Sequence, residues 1–233
     1  MTYSEVMALP VKEQGPLLKP LAEAKDNDAC LEYAKLIFAD KYSGTQSEGQ
    51  SKDDAKAEAR SRAVTFLHEA AQREHLPSII LGQDAVFLGR RGGFGKVLCK
   101  VNFTKAIEFL DIWLAQEPEP DVRALVLFRK GLCLKLMNAE TPWDDVKSLW
   151  EQAAQLSGEY AIAASAHLGV YHYDNGRYEE AIPLLEKAKN TSMMAATHLM
   201  LIHKNHTKSE EDYKECSDIC LALCNTKPKP GQT

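Results

Sequence analysis

No apolar run in the 233 residues approaches the roughly 20 needed for a membrane-spanning helix. The opening stretch, MTYSEVMALPVKEQGP, has no basic segment leading into an apolar one. A secretory leader is therefore not expected, and a cytoplasmic location is. Basic charge is not in excess either. Lys and Arg number 28 against 33 Asp and Glu, a formal net charge of −5, and no stripe of one sign runs along the chain. General nucleic-acid and anionic-membrane binders carry the opposite balance, so both become poor readings. Cysteine is scarce: Cys30, Cys99, Cys133, Cys216, Cys220 and Cys224. Without a leader these are expected to be thiols, buried as small apolar residues. What is left, 45% apolar and 26% charged residues, excludes a disordered, collagen-like or disulfide-scaffold chain.

The positive signal is repetition. In AASAHLGVYHYDNGRYEEAIPLLEKAKNTS (163–192), Leu168 and Gly169 precede Ala181 by about one helix and a turn, and Ala188 follows Ala181 by seven. Small residues at such points let two antiparallel helices approach closely. Asn175–Gly176 between them reads as the stop of one helix and the turn into the next. The same grammar joins Gly131 to Val146 and Ala153, Gly82 to Ala106 and Trp113, and Ala34 to Ala63 and Ala70. Downstream, THLMLIHKN (197–205) echoes AHLGVYHYD (166–174). From Ala70 through Trp113 and Ala153 to Ala188 the steps are 43, 40 and 35 residues, as for a constant helix pair with variable loops.

These residues carry a family resemblance. LG…NG-x-Y-x-x-A-I…A in 168–188 resembles a tetratricopeptide repeat, and R-A-x-x-F-L-x-x-A-A in 62–71 resembles the second helix of a Sel-1-like repeat. The unequal steps are more similar to the Sel-1-like subclass. The resemblance covers residues 28–224 and is weakest in the fifth unit, where Met200 stands in place of a small residue. It implies an all-α fold, a right-handed α-solenoid of about five antiparallel helical hairpins. A segment over 1–27 with a short cap helix (Leu17–Lys25) precedes it, and a disordered tail (225–233) follows.

The hairpins expected are Asp28–Tyr42 with Asp53–Glu74, Ser78–Leu88 with Phe103–Gln116, Asp121–Met137 with Trp143–Leu156, Glu159–Asp174 with Glu179–Lys189, and Ala195–Asn205 with Ser209–Cys224. Thr141 is the expected cap of the sixth of these helices, with Pro142 in its first position and Asp144 closing a capping box. Pro183 is expected to delay its helix to about Glu180 or to bend it. Residues 43–52 and 90–100 read as mobile loops.

Functionally, the resemblance implies a non-enzymatic protein–protein interaction scaffold or adaptor. The first helix of each pair would line a groove for a peptide segment or a partner helix. The positions implied are Gln83 and Val86 in the second unit, Phe128, Leu132 and Lys135 in the third, and Val170 and Tyr173 in the fourth. Besides an enzyme, which a deep pocket with clustered titratable groups would favour, two other readings stay open. One is a self-associating structural subunit or assembly factor using its terminal helix, where Cys216, Cys220 and Cys224 form an apolar stripe with Ile219 and Leu223. The other is an RNA or anion binder through a basic loop within 89–105 carrying Arg90, Arg91, Lys96 and Lys100. Local motifs for chemistry fail. Gly89–Lys96 lacks the spacing, the hydroxyl residue and the preceding strand of a phosphate-cradling loop. His68–Gln72 has glutamine where a zinc hydrolase needs its second histidine. His167 and His172, like His198 and His203, are five apart and point about 140° away from each other on a helix. No catalytic residue, metal or cofactor is expected.

Overall fold

The computed structural model describes residues 1–42, 46–88, 100–137 and 142–226, and every regular element among them is helical. By its internal contacts the chain forms two compact units, Met1–Pro118 and Glu119 onward. The first holds α1 (Tyr3–Met7), α2 (Val11–Glu23), α3 (Asn27–Phe38), α4 (Lys52–Gln72), α5 (Leu76–Leu88) and α6 (Phe103–Ala115). The second holds α7 (Pro120–Met137), α8 (Trp143–Ala154), α9 (Glu159–Asp174), α10 (Tyr178–Glu186), α11 (Met193–Ile202), a π-helical turn (His203–Thr207) and α12 (Glu210–Thr226).

Hairpin packing follows chain order in both units. In the first, α3 pairs with α4 and α5 with α6, α4 packs on α5, and α2 covers α3. In the second, α7 pairs with α8, α9 with α10 and α11 with α12. Here α9 also touches α7 on one side and α11 on the other, so the first helices of successive pairs adjoin.

Glycine sets the seam within three hairpins. A Cβ on Gly82 would overlap the Phe109 ring, one on Gly131 would overlap the Trp150 indole, and one on Gly169 would lie 2.6 Å from Leu185 Cγ. Each first helix thus gives up a side chain so that a large residue of its partner can enter. The partner-helix positions read from the repeat, among them Ala63, Ala70, Ala106, Val146, Ala153, Ala181 and Ala188, are all buried.

Helix ends are specified locally. Asp26, Ser51, Asn102 and Ser192 cap α3, α4, α6 and α11 by accepting the N–H three residues on, at 2.8, 3.1, 2.9 and 3.3 Å. At the other end, α2, α3, α4 and α9 close with paired bonds, as in His75 N–H to Ala70 O and Glu74 N–H to Ala71 O. That closure needs a left-handed residue. Gly176 supplies it after α9, but Lys25, Asp40 and Glu74 supply it after the other three.

The structure differs from the sequence reading where prolines are concerned. The short cap helix expected over Leu17–Lys25 is replaced by α1 and a 13-residue α2 with Pro16 and Pro20 inside it. Both prolines are exposed, on the side of α2 away from the buried Gln14, Gly15, Leu18 and Ala22. α10 starts at Tyr178, ahead of the expected Glu180, and contains Pro183. It ends at Glu186 rather than Lys189, where Ala188 N–H turns back to Leu185 O at 3.0 Å. Pro142 flanks α8 without a side-chain cap, and Thr141 lies outside the described residues. So do residues 43–45 and 89–99 of the expected loops and 227–233 of the expected tail, whose first two residues belong to α12.

Two stability changes are expected. Trp150 is pinned by its Nε1–H, which donates to Phe128 O at 3.1 Å, so it cannot yield to a new methyl group. Gly131→Ala should therefore cost about 2 kcal/mol in urea denaturation; an unchanged midpoint would remove the seam proposed for that hairpin. Glu74→Gly should raise stability by up to about 1 kcal/mol, because relief of the left-handed penalty exceeds the added chain entropy. A lower midpoint would show that Glu74 is not strained.

Candidate functional site

In the second unit a cleft follows one face of α9. Glu159, Ile162, Ala163, Ala166 and His167 recur at helical spacing and form one wall of a cleft of about 370 Å³. Thr191, Ser192 and Met194, at the start of α11, form the other. Val170 and Tyr173 continue the α9 stripe beyond the cleft. Both are half-buried and rest on the core formed around Ala181, Leu185 and Leu199. Tyr173 meets His198 of α11 edge-on at 4.9 Å and Tyr178 at 5.7 Å. His198 is oriented by a 2.7 Å bond from its Nδ1 to Met194 O.

On the α7 side, Phe128 lies 5.4 Å from His167 and 6.1 Å from both Trp150 and Tyr160, ring centroid to centroid. Trp150 reaches His167 at 4.9 Å. Burial, reinforced by the Lys135 charge, lowers the His167 pKa to about 4. At neutral pH His167 is therefore an uncharged imidazole at the cleft wall, with one donor and one acceptor nitrogen. The Lys135 ammonium is itself placed 5.4 Å from the Trp143 ring and 5.5 Å from that of Trp150. Such cation–π contacts hold an exposed lysine over aromatic faces. Trp143 stacks in turn on Tyr171 at 4.2 Å, and Arg177 lies over Tyr171 at 4.9 Å.

The positions named from sequence are thus distributed unevenly. Val170 and Tyr173 share the α9 stripe, Lys135 is exposed on α7, and Leu132 is half-buried beside it. Gln83, Val86 and Phe128, expected to face a groove, are 0%, 2% and 7% exposed. The reason for the first two is that α5 is packed by α3, α4 and α6, and Gln83 and Val86 lie on its covered side. The Gln83 amide nitrogen bonds the Asp84 carboxylate, while its Oε1 is buried without a partner. Arg90, Arg91 and Lys96 lie outside the described residues. Lys100 is exposed and joins Val86, Arg60, Asn102 and Lys105 around a second cleft, in the first unit.

The cysteine stripe of α12 only begins in an interface. Cys216 is 1% exposed, with its thiol pKa pushed up to about 11 by burial. Cys220 is half-buried, 3.8 Å from Thr197 Oγ1, and Cys224 is exposed. Residues four apart advance 40° around a helix, which turns the stripe out of the contact within two turns. Among the described residues no group of three or more His, Cys, Asp or Glu is placed to hold a metal ion. None of the described helices is long and apolar enough to cross a membrane.

Sequence reasoning missed Glu159, Ile162, His167, Met194 and His198 as surface partners of Tyr173. The three-and-four spacing along α9 was the available signal for the first three. For Arg60 there was none, since it is 40 residues upstream of Lys100 and reaches it only through helix packing, whereas Lys105 closes the 89–105 stretch already read as basic.

A pH dependence follows from His167. Its folded pKa lies below the usual value of about 6.5, so the unfolded chain binds its proton more readily. The neutral ring favours the fold above pH 6.5, and that contribution is lost as pH falls from 6.5 to 4, by at most about 3 kcal/mol. His172 and His68, also lowered by burial first, act in the same direction. His167→Phe should flatten the stability profile between pH 7 and pH 4.5 in urea titrations; an identical profile would place the imidazole in water.

No family model matches the chain, and no curated protein or solved structure matches it either.

Proposed function

We propose that the chain is a non-enzymatic adaptor that binds a peptide segment or helix of another protein. In this reading its hairpins continue through both units as one right-handed α-solenoid of the Sel-1-like and tetratricopeptide kind. The observation that carries the reading is the α9 stripe. It joins a preformed cleft to Val170, Tyr173 and His198 and is flanked by Phe128 and Lys135 on α7. Such a surface offers what a peptide requires. Ile162, Val170 and Met194 give apolar area, Glu159 and His167 give polar anchors, and Tyr173 gives an aromatic group of the kind enriched at binding hot spots.

Peptides selected from a displayed library against the full chain should bind Tyr173→Ala/Lys135→Ala at least tenfold more weakly, or about 1.4 kcal/mol. The helical circular-dichroism signal should be unchanged. Undiminished binding would move the interaction away from this face.

A second reading, self-association through α12, rests on Leu221, which is 61% exposed on that terminal helix. Light scattering distinguishes it. A mass that doubles with concentration and falls back in Leu221→Glu supports self-association, and a constant monomer mass removes it.

A further inference from the structure

We propose that the cleft between α4 and α6 of the first unit binds a small organic phosphate. The cleft measures about 400 Å³, within the size range of small-ligand sites. One wall is a single face of α4, where Arg60, Ser61 and Val64 recur at helical spacing. The other is the entry into α6, with Lys100 and Lys105, and Val86 of α5 completes the lining. Three cations thus converge from two elements far apart in sequence. Among the described residues no carboxylate lines the cleft, although the chain as a whole is acidic, at −5. Like-charged side chains over low-dielectric walls focus potential and draw in a counter-charge.

Carboxylates outside the lining hold two of the cations in place. Asp40 bonds Arg60 Nη2 at 3.1 Å, and Glu108 bonds Lys105 Nζ at 2.9 Å while also meeting His68 at 3.0 Å. Each partner takes one direction, and a guanidinium has five N–H donors and an ammonium three. The remaining donors suit an oxyanion with several acceptor oxygens. A planar fork beside two point charges matches a phosphate dianion better than a single carboxylate. Ser61 adds a hydroxyl to the same wall, whereas the Thr65 hydroxyl is used, donating to Ser61 O at 3.2 Å. Ala57 and Val64 supply an apolar surface that a bare inorganic ion would not use, which selects a phosphate with an organic body. This site shares no residue with the α9 stripe, so it stands or fails independently of the adaptor reading.

Phenyl phosphate, inorganic phosphate and a single-stranded uridine oligonucleotide serve as probes of the full chain by ¹H–¹⁵N NMR at physiological salt. Phenyl phosphate should give saturable shifts at Arg60, Ser61, Lys100 and Lys105 and bind at least fivefold more tightly than inorganic phosphate. Lys100→Gln/Lys105→Gln should weaken it tenfold or more with unchanged circular dichroism, while Lys135→Gln should bind it as the wild type does. Three results would overturn the proposal. One is the absence of saturation at millimolar probe, or shifts spread over lysines generally. Another is equal affinity for the two phosphates, which removes the organic body. The third is tight oligonucleotide binding that phenyl phosphate does not displace, which assigns the basic surface to nucleic acid instead.

Discussion

Trp150 fills the space that any side chain at position 131 would need, and its indole N–H is tied to the carbonyl of Phe128. That contact fixes how near α7 and α8 come and how far one is slid along the other. Phe128 and Trp150 then present their rings to α9, where His167 meets both. The imidazole is neutral because it is enclosed there, and Lys135, lying over the same indole, adds to the effect. A missing Cβ on one helix thereby determines the chemical character of a cleft formed two helices later. Gly82 with Phe109 and Gly169 with Leu185 repeat the device, so the fold is built from one kind of close approach used three times.

Such seams make hairpins but do not end them. Termination rests on polar side chains at the starts of helices and left-handed residues at their ends, and the two are not of equal quality. The capping residues Asp26, Ser51, Asn102 and Ser192 are all of the favoured types. Of the left-handed positions that close α2, α3, α4 and α9, only that after α9 is glycine. Backbone strain therefore lies mainly in the first unit, where packing must compensate for Lys25, Asp40 and Glu74. That the chain bears it is consistent with hairpin turns being enforced by helix contacts more than by turn residues.

The repeat grammar was legible because it depends on residue size at fixed spacing. Gly131, Ala153, Gly169 and Ala181 mark the contacts, and Glu159–Asp174 was bounded correctly, its end by the Asn–Gly that follows it. The prolines of α2 and α10 misled because their cost depends on which way the freed carbonyl points, and that is known only once a helix has been placed. Gln83 and Val86 were assigned to a groove by offset from Gly82, but offset gives a direction on the helix without saying what covers it. The cluster of Arg60, Lys100 and Lys105 was beyond reach for another reason. Lys100 was read only as part of a loop, while Arg60 comes from another hairpin, and the packing of α4 against α5 and α6 brings them together.

The two clefts differ in the electrostatic term that any ligand must satisfy. Around His167 the cation that adds to its lowered pKa, Lys135, is already placed over aromatic rings, and the imidazole is uncharged, so recognition there depends on shape and on hydrogen bonds that salt screens weakly. Around Arg60 the donors are charged and in part exposed, so attraction there reaches outward and is attenuated by salt. A ligand suited to one surface is poorly suited to the other. An apolar segment gains nothing from three cations that it would have to desolvate, and a phosphate finds at His167 a ring held neutral near a glutamate. The difference in charge between the two clefts is therefore a basis for selectivity that the net composition of the chain, averaged to −5, conceals.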